Sequence, residues 1–238
     1  LGYTLALASN FICSPWLLKK LIPSQPLPAG AMRDQITLWA QAAGVRTPEL
    51  RVAELTAVKQ ANAWVTGLAW LGGPFKPVLW VTPQLLYDLS GDEIEAVIKH
   101  ELVHLKRNHL TYRFALSWAM SLLVLASLSG ALFLRALLPQ ALADPVAPAF
   151  SLLMAVSLIW GAFRSLEEQS RSHELEADRL CVTQLGASAL ALIRALKKTH
   201  NGQEGGSHPT LTIRLLELEP WAQKEAASQA AAQETKKA

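Results

Sequence analysis

The sequence predicts an α+β fold that is mainly α, in which a helical domain with a small antiparallel sheet is interrupted by a transmembrane helical hairpin. Hydrophobic residues make up 51% of the 238 residues and charged residues only 17%. Two long stretches in the second half carry almost no charge, which is typical of membrane helices. Three short runs in the first third, bounded by turn-forming residues, predict the strands.

Residues 1–28 predict an apolar segment followed by a linker. The first 22 residues are largely apolar and contain Lys19-Lys20 near their end, so they fit the last part of a transmembrane helix whose start is missing. An amphipathic helix that lies on the domain fits equally well, and both interpretations stay open. The Pro-rich stretch PSQPLP that follows predicts a linker or a turn.

Residues 29–113 predict the first part of the domain. A helix is expected over 31–43, with apolar side chains on one side and Gly44 closing it. Gly, Pro and Lys punctuate the β-prone runs that follow, and this arrangement predicts the antiparallel sheet. The three runs are LRVAEL, ANAWVTGLAWL and PVLWVTP.

A further helix is predicted to begin at Ser90. Ser90 and Glu93 have the S-x-x-E spacing of a capping box, and apolar residues then recur at helical spacing. The sequence HELVH, residues 100–104, therefore lies on a helix.

The H-E-x-x-H spacing predicts a zinc site. On a helix, His100 and His104 lie one above the other, so both can direct an imidazole nitrogen at one ion. Glu101 points at a neighbouring angle, from which its carboxylate can deprotonate water as a general base. The alternative is a solvated helix face that is rich in histidine. His109, at the end of the helix, is expected to interact with the helix dipole or to support a ligand, and not to bind the ion itself.

Residues 114–164 predict a transmembrane hairpin. The stretch 114–138 carries a single charge, Arg135, and the stretch 146–163 carries none. At about 1.5 Å per residue, each stretch can cross a hydrocarbon core of about 30 Å as a helix. Basic residues flank the outer ends, so the positive-inside rule places both ends, and the predicted zinc site, at the cytoplasmic face. The alternative is a pair of buried helices in a soluble core.

Residues 165–220 predict the second part of the domain, and 221–238 a mobile tail with little to bury. A polar helix near 165–185 offers four candidates for a third zinc ligand, which are His173, Glu174, Glu176 and Asp178. Glu174 and Asp178 share one helix face, so one could bind the ion while the other accepts a hydrogen bond from a ligand histidine. Spacing alone does not choose among the four, and an acidic solvated face is the alternative.

The succession of HELVH, an apolar hairpin and RSHELEAD resembles the membrane-embedded gluzincin peptidases that include the HtpX heat-shock proteases and the CAAX prenyl proteases. This resemblance covers about residues 30–220 and implies a helical zincin-like peptidase domain. The R-x-x-E-x-x-A-D pattern of that family is matched by Arg171, Glu174, Ala177 and Asp178. The match implies one zinc ion held by His100, His104 and Glu174, with Asp178 supporting a ligand from behind.

Two further patterns of that family are present. Its N-A-x-x-x-G strand is matched by Asn62, Ala63 and Gly67, which implies that this strand binds substrate. Its downstream histidine and arginine, six residues apart, are matched by His208 and Arg214. The match implies that His208 assists catalysis and that Arg214 supports the site from outside the ligand set.

These features together predict an integral-membrane zinc endopeptidase of the bacterial inner membrane, with several membrane passes and with protein or peptide substrates and membrane lipid as partners. A net charge of +3 with no basic cluster excludes nucleic acid as a partner. Trp64 stands where the family has a smaller aromatic residue, so signalling peptidases of the BlaR/MecR type are a close alternative. A non-catalytic membrane receptor or scaffold is a second alternative, although the presence of Glu101 argues against it.

Overall fold

The computed structural model describes residues 2–54, 60–200 and 208–237, and this part of the chain is mainly helical with one small sheet. Its strands are β1 (Ser24–Pro26), β2 (Glu49–Ala53), β3 (Ala63–Thr66) and β4 (Val78–Val81). Its helices are α1 (Gly2–Leu21), α2 (Ala31–Ala42), α3 (Pro83–Asp88), α4 (Gly91–Lys106), α5 (His109–Leu137), α6 (Gln140–Thr183), α7 (Ala189–Thr199) and α8 (Leu211–Lys237). The predicted α+β, mainly α class is confirmed.

The four-stranded sheet is mixed. Its order is β1-β2-β4-β3, with antiparallel pairing of β1 with β2 and of β3 with β4. The pairing of β2 with β4 is parallel, so the predicted antiparallel sheet is wrong at this pair. The chain forms β3 and a short 3-10 turn before β4 inserts between β2 and β3, and that crossover makes β2 and β4 run in the same direction. All four residues of β4 are buried, as expected for a central strand.

Two short elements lie outside the predicted set. The Pro-rich segment expected to be a linker contains β1, whose Pro26 is the partner of Arg51 at the end of the antiparallel pair with β2. Helix α3 follows β4 directly, with Thr82 as its N-cap accepting a hydrogen bond from the Leu85 amide. Both elements are very short, so neither leaves a periodic pattern in the sequence.

Helix α4 lies between two hydrophobic clusters. One cluster joins α2, the sheet and α4, and it includes Ile36, Leu79 and Ile98. The other joins α4 to α6, α7 and α8, and it includes Val103 and Leu218. Because α4 buries apolar side chains on both sides, the face that carries the histidines is fixed relative to the rest of the domain.

The N-terminus of α4 is also anchored by charge. The Ser90 amide donates to Glu93 Oε2 at 2.9 Å, as the capping-box spacing predicts. The same carboxylate accepts hydrogen bonds from Lys198 Nζ at 2.6 Å and from Arg194 Nε at 3.3 Å. Two basic residues of α7 therefore hold the start of α4, and α7 in turn closes one side of the site described below.

Helices α5 and α6 form the predicted hairpin, and each is long and apolar enough to cross a membrane by length and composition. Little of either apolar stretch is buried in the protein, and large side chains such as Leu132 and Trp160 are exposed. At the tip, Arg135 donates to Asp144 Oδ1 at 2.7 Å. The turn between the two helices is short, because α5 ends at Leu137 and α6 begins at Gln140 and continues to Thr183.

The continuity of α6 fixes the distance between the hairpin and the site. Glu174 lies ten residues beyond Arg164, which corresponds to about 15 Å along a helix axis. The second apolar stretch and the RSHELEAD motif therefore lie on one continuous helix.

The segment 221–237, which we expected to be a mobile tail, forms the second half of α8. Ala222 is buried, and Glu225 accepts hydrogen bonds from Ser188 Oγ at 2.6 Å and from the Ala189 amide at 2.8 Å. A carboxylate at the first turn of α7 satisfies backbone donors that the helix itself cannot pair. This contact gives the start of the segment a packing role that its composition did not indicate.

Candidate metal centre

Two helices bring three potential metal ligands together. On α4, His100 Nε2 and His104 Nε2 lie 3.2 Å apart. On α6, Glu174 Oε2 lies 3.6 Å from His100 Nε2, and Glu174 Oε1 lies 3.5 Å from His104 Nε2. Donor atoms about 2.0–2.1 Å from a tetrahedral zinc ion are separated by about 3.4 Å. The donor types and their separations therefore fit a zinc ion.

Glu101 lies beside these ligands, at the wall of the same space. One ring nitrogen each of His100 and His104 and one carboxylate oxygen of Glu101 lie within 4.8 Å of one another. Glu101 Oε2 accepts a hydrogen bond of 3.1 Å from the amide of Val65 in β3. The sheet thus fixes the orientation of this carboxylate next to the ligand set.

A buried carboxylate supports His100. Its Nδ1 lies 2.9 Å from Asp178 Oδ1, one helical turn beyond Glu174. Arg214, on α8, donates to both Asp178 oxygens at 2.6 Å. Asp178 is fully buried. This arrangement favours the tautomer of His100 that carries its proton on Nδ1 and leaves Nε2 free to bind a metal.

A longer series of contacts lies behind His104. Its Nδ1 is 2.9 Å from His109 Nδ1, and His109 Nε2 is 3.1 Å from Glu176 Oε2. Arg107 Nε donates to Glu176 Oε1 at 2.8 Å. The His109 ring also stacks on His173, with ring centroids 3.9 Å apart. His109 is therefore placed as a support for His104, one of the two roles considered for it.

Burial and neighbouring charges separate the pKa values of the two histidines. Burial lowers the pKa of His100, but hydrogen bonding to Asp178 and Glu174 outweighs this effect and raises the pKa to about 10. Burial, together with the charge of His100, lowers the pKa of His104 to about 3. Burial raises the pKa of the Glu101 carboxyl to about 7, which is a suitable value for a general base near neutral pH.

A cavity of about 290 Å³ contains these groups. Strand β3 forms one wall, and Asn62 and Ala63 are among the lining residues. Within the described chain β3 is an edge strand that pairs only with β4. Just after β4, the Thr82 amide donates to the Asn62 carbonyl at 3.0 Å, so by the alternation along a strand the main-chain groups of Ala63 and Val65 point to the free edge. The Val65 amide donates to Glu101 Oε2, so the groups that this edge offers to a ligand are the amide and carbonyl of Ala63 and the carbonyl of Val65.

Two other predicted site residues, His208 and Arg214, line this cavity. His208 lines it with a largely exposed ring, and its Nδ1 is 3.4 Å from Glu174 Oε2. That hydrogen-bonding contact raises the pKa of His208. Arg214 also lines the cavity, as well as binding Asp178.

Gly67 has a different position, because it follows β3 and is not among the lining residues. Its φ is +91°, and a Cβ atom there would lie 2.6 Å from Pro15 Cγ and 3.2 Å from Pro77 Cα. Both the backbone conformation and the close approach of α1 require glycine at this position.

The sequence did not indicate what Arg107, Glu176 and the apolar cavity wall contribute. Glu176 was one of four candidates for a ligand, but the structure places its carboxylate beside His109 and Arg107. Leu192 and Leu196 of α7 also line the cavity. These roles depend on contacts between distant segments, and local spacing carries no signal for them.

Two HtpX proteases are similar to this chain in sequence. The protease HtpX of Tolumonas auensis is 25% identical over 214 residues, which cover 83% of this chain and 70% of that protein. A protease HtpX homolog of Thermococcus sibiricus is 36% identical over 123 residues, which cover 51% of this chain and 39% of that protein.

A crystal structure of S. mikatae Ste24p is also similar. It superposes with a TM-score of 0.67 at 21% identity, covering 91% of this chain and 56% of the Ste24p chain. At this identity the likeness shows the fold alone. The chain thus spans little more than half of that structure, as it spans about two-fifths of the Thermococcus protein.

A model of a peptidase family also matches most of the chain. The match covers residues 26–222, which include β2 to β4, the histidine helix, the hairpin and the acidic motif of α6. The resemblance to HtpX and CAAX proteases noted in the sequence is confirmed by these findings. The chain belongs to peptidase family M48.

Proposed function

We propose that this M48 peptidase is a zinc-dependent endopeptidase that cleaves membrane or membrane-proximal proteins. The proposal rests above all on one observation, which is the convergence of His100, His104 and Glu174 beside Glu101 in a single cavity. Members of family M48 are zinc metallopeptidases, and the donor set has the composition of a catalytic zinc site, with three protein ligands.

Each residue then has a distinct role. His100, His104 and Glu174 would hold the zinc ion, which when bound supplies a Lewis acid that acidifies water and polarises a carbonyl group. Glu101 accepts a proton from the attacking water and delivers it to the leaving amine. His208, across the cavity, offers a ring N–H to the oxygen that becomes negative during the attack.

Substrate binding is assigned to the free edge of β3. An extended peptide can add to this edge through the amide and carbonyl of Ala63 and the carbonyl of Val65, in the manner of an additional strand, whereas the Val65 amide donates to Glu101. Asn62 borders the same edge and can contact the peptide. Because main-chain hydrogen bonds do not depend on side-chain identity, this mode of binding tolerates many substrate sequences.

The test of the proposal is the Glu101→Gln substitution. We expect the variant to retain one equivalent of zinc and its fold, because the ligands are unchanged, but to lose hydrolysis of a casein-like substrate. Glu95→Gln on the same helix is the matched control, since Glu95 pairs with Lys99 and does not line the cavity. Turnover of Glu101→Gln at the wild-type rate would exclude the general-base role. Loss of zinc from this variant would place Glu101 among the ligands.

We also propose that the hairpin spans the bacterial inner membrane and that the metal centre faces the cytoplasm. The charge distribution supports this orientation, since Arg135 at the tip is paired with Asp144 while several basic residues surround the outer ends. In a cysteine-free background, Ala141→Cys at the tip should react with an impermeant thiol reagent applied to intact cells. Lys106→Cys, near the metal centre, should react only after the membrane is opened. Labelling of both positions from the same side would exclude this topology.

A further inference from the structure

His104 is connected to the membrane hairpin by a continuous series of hydrogen-bonding contacts. The series runs from His104 Nδ1 to His109 Nδ1, over 2.9 Å, and from His109 Nε2 to Glu176 Oε2, over 3.1 Å. It ends at Arg107, whose Nε donates to the other Glu176 oxygen at 2.8 Å. His109 is almost completely buried, so water does not replace its partners.

Metal binding allows only one direction of donation along this series. If His104 Nε2 binds the ion, the neutral imidazole must carry its proton on Nδ1 and donate it to His109 Nδ1. His109 then carries its own proton on Nε2 and donates it to Glu176. The reverse direction would place a proton on His104 Nε2, the atom that faces Glu174 and His100.

Two residues of the series, His109 and Glu176, belong to the hairpin helices. His109 is the first residue of α5, and Glu176 lies on α6, beyond the apolar stretch of that helix. Asn108, between α4 and α5, has the left-handed conformation with φ 56°. This turn redirects the chain after α4, so that the first side chain of α5 comes to lie behind a histidine of α4.

We propose that His109 and Glu176 are positioning residues that hold His104 in the orientation and tautomer that binds zinc. The inference deepens the proposed function and rests on it. The Glu176 carboxylate accepts the hydrogen bond from His109 Nε2. His173 restrains the His109 ring by stacking on it, with ring centroids 3.9 Å apart. The base of the hairpin is thereby part of the metal centre, as well as the start of the membrane-spanning helices.

The test compares zinc affinity with folding in the full-length chain in detergent. His109→Leu removes both hydrogen bonds, and we expect zinc affinity, measured by competition with a chromophoric chelator, to fall about 10–100-fold. His109→Asn places an amide oxygen where Nδ1 lies and should recover most of that affinity. His200→Leu, a histidine outside the cavity, is the matched control and should leave the affinity unchanged.

Two further measurements separate positioning from a general loss of structure. The thermal unfolding of each metal-free variant shows whether the protein still folds, and the visible spectrum of the Co²⁺-loaded variant reports the ligand geometry directly. Glu176→Gln, at a partly exposed position, provides a second variant in case His109→Leu does not fold, and its affinity should fall less than that of His109→Leu. We expect an altered Co²⁺ spectrum in His109→Leu and a near-normal spectrum in His109→Asn.

Zinc affinity equal to the wild-type value in folded His109→Leu, or in Glu176→Gln where His109→Leu is unfolded, would overturn the inference. Equal loss of affinity in His109→Leu and His109→Asn would also overturn it, because the loss would then follow from packing alone. Wild-type protein that binds no zinc would instead overturn the proposed function itself. The two failures are therefore distinguishable in one set of measurements.

Discussion

The two histidines of α4 are supported in different ways, although both supports end on an arginine. His100 contacts a carboxylate directly, and this Asp178 is fully buried and held by Arg214, which is itself only 13% exposed. His104 reaches its carboxylate through His109. That carboxylate, Glu176, is 24% exposed, and its arginine, Arg107, is 53% exposed. One support therefore belongs to the interior of the domain, and the other to the surface at the base of the hairpin.

Both carboxylates come from one helix, two residues apart. Successive residues of an α-helix are rotated by about 100°, so Asp178 and Glu176 point about 200° apart. Asp178 faces the interior between α4 and α8, whereas Glu176 faces the junction of α4 and α5. A single segment of α6 thus supplies the proposed ligand Glu174 and a support for each of the two histidines.

The difference in burial predicts the largest effect for Asp178→Ala. This change leaves the Arg214 guanidinium buried without its carboxylate partner, which we expect to lower the free energy of unfolding by about 3–5 kcal/mol. Glu176→Ala leaves Arg107 exposed to water but removes the acceptor of the buried His109 Nε2, and should cost about 1–3 kcal/mol. Denaturant unfolding of the metal-free proteins measures both values, and equal values would remove the distinction between the two supports.

The arginines should differ in their effects on metal binding. We expect Arg214→Ala to weaken zinc binding about 10–100-fold, because Asp178 then lacks the two hydrogen bonds that orient it toward His100. Arg107→Ala should change zinc affinity only about threefold or less, since an exposed ion pair contributes little. The same chelator competition measures both variants. A larger effect for Arg107→Ala would mean that the surface support is the dominant one.

The same contrast explains how much of the site could be predicted from the sequence. His100, Glu101 and His104 are five residues of one helix, so local periodicity alone places them on one face. Glu174 and Asp178 also share a helix, but spacing left them among four candidates, and only the family resemblance selected them. Their positions beside the histidines are consistent with that selection. The Glu176 support could not be predicted, because it joins residues that are 67 and 69 positions apart.

The fold shows a similar division. Long periodic or apolar segments were predicted well, including the helix after Ser90 and the two hairpin helices. The parallel pairing of β2 with β4 was not, because short strands carry no information about which neighbour they will select. The length of α6 was also underestimated. Pro145 and Pro148 lie in its first three turns, where each removes one backbone donor without ending the helix.

The smallest expected effect concerns salt. Raising the NaCl concentration from about 0.1 M to about 1 M shortens the Debye length from about 10 Å to about 3 Å. The coupling between Arg107 and Glu176, measured by a double-mutant cycle on unfolding free energy, should be below about 1 kcal/mol and should decrease in high salt. The coupling between Arg214 and Asp178 should persist, because buried charges are screened much less than exposed ones. If both couplings decreased in parallel, solvent would reach both pairs equally. The two histidines would then differ only in the number of residues between them and their carboxylates, and not in the burial of their supports.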